Sequence, residues 1–172
     1  MPEIKIIYDQ YSEITNYRNP DNEWDKDDSY HDYNIKGVAK NSKHVYGEIV
    51  SVPFELDPSR VYHVLYVIYS TGDSFSRKEN GAIEFIGVYE DLEQAQENKK
   101  RIKEHHKIYE DLKEWGLSPK ERKKLKKKNK GFEEYSVMLV ENGQEYKLHV
   151  PWHGYFERLS EIEIKPVLVL DE

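Results

Sequence analysis

The chain has no cysteine among its 172 residues, which excludes a disulfide framework and any cysteine-ligated zinc site and favours a reducing, intracellular setting. Long apolar runs are also missing. Nothing approaches the roughly 20 residues that span a bilayer, and the opening MPEIKIIYDQ lacks the basic-then-apolar order of a signal peptide. A cytoplasmic protein without membrane contact is therefore expected. Catalytic signatures are absent as well: no Ser-His-Asp order, His-Glu-x-x-His pattern or paired-carboxylate spacing can be read. The seven histidines are scattered, and His149 and His153 flank Pro151, which rules out a helical i,i+4 ligand pair. No cofactor is implied, and the balance leans away from an enzyme.

What is present is a length sufficient for one domain, residues 1–172, with a sizeable core. The formal charge of −7 argues against general affinity for nucleic acid, but the charge is segregated along the chain. The organising stretch runs over residues 61–101. Residues 61–69 place Val61, His63, Leu65, Val67 and Tyr69 on one face and Tyr62, Val64, Tyr66 and Ile68 on the other, which predicts a central strand covered on both sides. Residues 82–89 predict its antiparallel partner, with Ile83, Phe85 and Tyr89 on one side and Ile86 and Val88 on the other. Asp91 and Gln94 then suit a capping box. Leu92, Ala95, Ile102, Tyr109, Leu112 and Trp115 recur at helical spacing, giving a stripe that can lie on the sheet.

Elsewhere, residues 3–9, 35–39 and 45–52 read as strands, and Pro53 and Pro58 bracket a turn. Ser118, Pro119 and Glu121 carry the cap, first-turn proline and box position of a second helix, within an excursion over about 117–131. Asn142-Gly143 predicts a hairpin between strands at 132–140 and 145–150. Residues 162–170 predict a closing strand, whose Pro166 belongs at an edge or bulge. The class expected is α+β: a mainly antiparallel sheet, a long helix packed across it and a short basic second helix.

Three stretches carry candidate chemistry. Ser70, Thr71, Gly72, Asp73 and Ser74 form a hydroxyl-rich turn after a buried strand. With Arg77, and with Trp152 and Tyr155 from the aromatic corner at 151–156, they suit a phosphorylated or nucleotide-like ligand. The glycine spacing is not that of a Walker loop, and the plain alternative is a polar hairpin connection. The long acidic loop over about 16–34 interleaves Trp24, Tyr30 and Tyr33 with Asp25, Asp27 and Asp28, an anchor set for a protein partner. The plain alternative is a solvated acidic face. A metal reading would bring Asp25, Asp28, His31 and Asp73 to one ion, although the loop lacks EF-hand spacing. Lys120–Lys130 is overwhelmingly basic with Leu125 as its one apolar contact, and without interleaved aromatics it reads first as a solvated face and second as an electrostatic contact with an acidic protein or with the acidic N-terminal loop. Nucleic acid is not expected as a partner except through that run.

The Asp-rich Trp24-Asp25-Lys26-Asp27-Asp28, the Tyr69-Ser70-Thr71-Gly72-Asp73-Ser74-Phe75 loop and the segment Pro151-Trp152-His153-Gly154-Tyr155-Phe156-Glu157 together resemble a group of small proteins that recurs in bacteriophage and some bacterial genomes. The likeness covers most of the chain, with the basic helix as an insertion. Members often follow Asp-Ser-Phe with glycine, where this chain has Ser76. The resemblance implies a phage origin and no particular activity. The reading that follows is a non-enzymatic binding protein acting on a host component, in the cytoplasm of a bacterial cell. It would bind a host protein or sequester a nucleotide-like molecule. The alternative is a small metal-dependent hydrolase or nuclease built on the Asp-rich loop.

Overall fold

The computed structural model describes residues 2–15, 28–43, 46–71, 81–113, 118–129, 132–150 and 157–170. Its elements in chain order are β1 (Glu3–Thr15), β2 (Asp28–Lys40), β3 (Glu48–Ser51), β4 (Tyr62–Thr71), β5 (Gly81–Tyr89), α1 (Leu92–Lys113), α2 (Pro119–Lys128), β6 (Ser136–Glu141), β7 (Gln144–His149) and β8 (Glu157–Val167). Strands pair antiparallel in three groups, β2-β1-β3, β5-β4-β8 and β6-β7, so the class is α+β as expected. β4 lies between β5 and β8. Its apolar residues serve both faces, as the dense run of β-branched and aromatic side chains requires.

Three layers result. One core joins the two larger sheets: Ile4, Ile6, Ile35 and Val38 from one meet Tyr62, Val64, Val88 and Val167 from the other. The second core lies on the far side of β4, where Leu65, Val67 and Ile86 pack with Ala95 and Ile102 of α1 and Val137 and Leu139 of β6. Tyr62 is fully buried in the first core. It stacks on Phe54 at 5.2 Å, and its hydroxyl accepts from the Asp57 amide at 2.7 Å, so the polar end of the ring is satisfied.

β5 departs from strict alternation. Its register against β4 shifts between Leu65↔Gly87 and Tyr66↔Phe85, leaving Ile86 as an extra residue. The bulge moves Val88 to the face of Ile83 and Phe85, and Tyr89 to the face of Ile86. The expected grouping of Tyr89 with Phe85 is thereby corrected, because one inserted residue reverses every side chain beyond it. The acidic loop also ends earlier than 34: Asp28 to Tyr33 belong to β2, paired to β1 through Thr15↔Asp28. β8 begins at Glu157, five residues before the expected start.

Beyond β8 the chain crosses to the first sheet. Val38 donates to the Leu168 carbonyl (3.1 Å) and accepts from the Leu170 amide (2.8 Å), forming a parallel bridge with Val169. The two sheets thus join at one edge into a curled surface. β3 and β5 are the outer strands of the two pairings. Pro166 lies on β8 opposite His63, on the outer strand of its sheet, where its missing N–H is tolerated.

α1 buries Ala95, Asn98, Ile102, His105 and Tyr109, a helical stripe in which two positions are polar. Leu92, expected in the stripe, is exposed, and Trp115 lies outside the described residues. The Gln94 amide, expected to reach back to Asp91, donates instead to the Val140 carbonyl at 3.2 Å. α2 has the expected cap, Ser118 Oγ accepting from the Glu121 amide at 3.2 Å. The β6–β7 turn has positive φ at Asn142 and Gly143, the conformation an Asn-Gly hairpin needs.

Candidate functional site

Strand direction places the strand ends that flank the candidate stretches at one end of the scaffold. β2 and β8 run parallel: Val38 bridges Val169, and Lys165 Nζ reaches Asn34 Oδ1 at 3.4 Å with the same sequence offset. The starts of β2 and β8, Asp28 and Glu157, therefore lie at the same end. Thr15 at the end of β1 pairs with Asp28. Thr71 at the end of β4 pairs with Glu157, and Ser70 pairs with both Gly81 and Arg158. Segments 16–27, 72–80 and 151–156 consequently attach to neighbouring strand ends. Loops carried by a rigid sheet are the usual place for recognition residues.

Of the candidate ligand set, Ser70 and Thr71 occupy the last two positions of β4. Gly72, Asp73, Ser74, Arg77, Trp152 and Tyr155 lie outside the described residues, as do Trp24, Asp25 and Asp27. Asp28 and Tyr30 are the outer positions of β2, opposite Thr15 and Glu13. His31 follows in the same strand, paired with Ser12. Among the described residues no group of three or more His, Asp and Glu is arranged to hold a metal ion.

Tyr33 is half-buried and ties the sheets together. Its ring lies 6.4 Å from Tyr8, Tyr8 in turn meets Phe85 edge-on at 5.0 Å, and the Tyr33 hydroxyl is hydrogen-bonded to the Ile83 backbone. Burial raises the pKa of both Tyr33 and Tyr8. Between β5 and β3, burial first and then Glu48 raise the pKa of Glu84, while His149 opposes the shift. Tyr8, Tyr33 and Phe85 thus form an aromatic joint between the two sheets.

Glu157 and Arg158 are the residues that reading the sequence missed. Glu-Arg-Leu-Ser-Glu has no sustained apolar alternation, so the closing strand seemed to start at Ile162. Its true start sets these two charges opposite Thr71 and Ser70. The faint signal was Leu159, which joins the second core. No protein-family model, curated protein or solved structure matches the chain.

Proposed function

We propose that this chain is a non-enzymatic binding protein whose recognition surface is the loop-bearing end of its two sheets. The observation that supports this is the common end of β1, β2, β4, β5 and β8. The acidic aromatic stretch around Trp24 and the Ser70–Tyr155 set, separate in sequence, attach to adjacent strand ends. Between them these segments supply carboxylates from 16–27, Arg77 and Lys78 from 72–80, and Trp24, Trp152 and Tyr155 as aromatic anchors. Such a mixture suits a protein partner, because buried aromatics supply most of the affinity while rim charges select the partner. The resemblance to small phage proteins makes a bacterial host component the expected partner.

The test is native mass spectrometry of tagged protein recovered from bacterial lysate, followed by titration of the recovered partner with two variants. Trp24→Ala and Trp152→Ala should each weaken the same complex by about 30-fold, the size of a single hot-spot loss. A complex untouched by either substitution would remove this reading. A released mass of a few hundred daltons in place of a protein would favour the nucleotide-like ligand, and the metal-hydrolase alternative predicts a rise in Tm with added manganese.

A further inference from the structure

We propose that α2 is a docking surface for the phosphate backbone of duplex nucleic acid, independent of the loop-bearing end. The helix PKERKKLKKK holds seven cations and one carboxylate and buries none of its residues. The chain as a whole carries −7, so +6 on α2 leaves −13 on everything else. The charge is oriented. At about 100° per residue, the half-buried Ser118, Leu125 and Asn129 fall within about 40° of each other, on the face turned to the body. Lys120, Lys123, Lys124 and Lys127 form a ridge almost opposite, with Lys126 and Lys128 on its flanks, while Arg122 falls beside the body-facing residues. Among the described residues none of these seven side chains makes an ion pair.

Local stability does not account for the ridge. Lys126, Lys127 and Lys128 in the last turn complement the helix dipole, but Lys120 and Lys123 lie toward the positive end, where a cation is unfavourable. Like charges at i,i+3 and i,i+4, such as Lys120 with Lys123 and Lys124, weaken an isolated helix. A bound polyanion relieves both penalties. The ridge has no aromatic or aliphatic side chain. That argues against membrane insertion, which needs an apolar face, against a protein interface, where lysine is depleted, and against base stacking on a single strand. Lysine point charges on phosphates remain, and they read no sequence.

The test uses the full chain and a fluorescein-labelled 24-base-pair DNA duplex in anisotropy titrations across salt. About five neutralised phosphates at ~0.9 each give a log–log slope near −4.5, or roughly 500-fold weaker binding between 50 and 200 mM salt. The variant K120Q/K123Q/K124Q/K127Q should lose most of the binding with an unchanged Tm, since no α2 residue is buried. K40Q/K100Q/K103Q/K107Q removes equal charge from other exposed positions and should bind like the parent. Equal loss in both variants, or no duplex binding at 50 mM salt, overturns the proposal. Retention of a polyglutamate peptide without the duplex overturns it in favour of an acidic protein.

Discussion

Asn98 joins α1 to β6 through a buried side-chain amide. It is fully buried. Its Oδ1 accepts from the Val140 amide at 2.8 Å, and its Nδ2 donates to the Val140 carbonyl and to the Tyr89 hydroxyl, each at 2.9 Å. The side-chain amide thus pairs with β6 as another strand would, satisfying backbone groups that face a helix. Tyr89 completes the group: burial drives its pKa far above the ordinary phenol value, and it shares a hydrogen bond with Tyr146. Asn98→Ala leaves the Val140 N–H without its acceptor in a buried seam, so it should cost about 2–4 kcal/mol. Urea unfolding would show this as a lower midpoint with an unchanged m-value. A loss below about 1 kcal/mol would mean that apolar packing alone holds the seam.

The seam between α1 and the segment entering β6 also holds a titrating group. His105 Nε2 donates to the Glu133 carbonyl at 2.6 Å, and Phe132 lies against its ring at 4.8 Å. Burial lowers the His105 pKa, with His106 adding to the effect and the Glu133 and Ser136 backbone opposing it. A depressed histidine binds fewer protons folded than unfolded. Its contribution is present above the unfolded value of about 6.5 and is lost as pH falls through the folded one. Unfolding midpoints at pH of about 7.5 and 5.5 should therefore drop for the parent and drop less for His105→Gln, which keeps a donor and cannot titrate. Equal drops would assign the acid sensitivity to other groups, His63 being the nearest in kind. Neither Asn98 nor His105 could be picked from the sequence, since polar residues dilute the stripe that marks a core-facing helix. Where apolar residues alternate or turn chemistry is strict, as in β4 and at Asn142-Gly143, the elements were legible. The outer halves of β1 and β2 and the first residues of β8 have no sustained apolar alternation, and such strands depend on the neighbours that pair with them. The shared end of the candidate loops was invisible for the same reason, since it follows from register and from one bridge formed after β8.

That bridge decides the shape of the whole molecule. Gly37 makes it possible: a Cβ at this position would lie 2.7 Å from the Leu168 carbonyl oxygen and 2.6 Å from Leu170 Cγ. The first obstacle is backbone and cannot rotate away. Gly37→Ala must push the strap over 168–170 off β2, loosening the Val38 amide and the Leu170 amide that bond across the seam. The cost expected for overpacking of this kind is about 1–3 kcal/mol. Hydrogen exchange separates seam opening from general loosening. The Val38 and Leu170 amides should lose protection together, while the Val140 amide, held by Asn98 in the other core, should lose no more than the global stability change. A uniform loss would mean that the two sheets cohere through their apolar faces without the strap. The same substitution bears on the proposed recognition surface, because the parallel alignment of β2 with β8 is what sets Asp28 and Glu157, the strand ends that follow segments 16–27 and 151–156, at one end of the scaffold. A Gly37→Ala protein that stays folded should bind its partner more weakly although the substituted residue touches no loop, and unaltered affinity would separate the strap from the recognition surface.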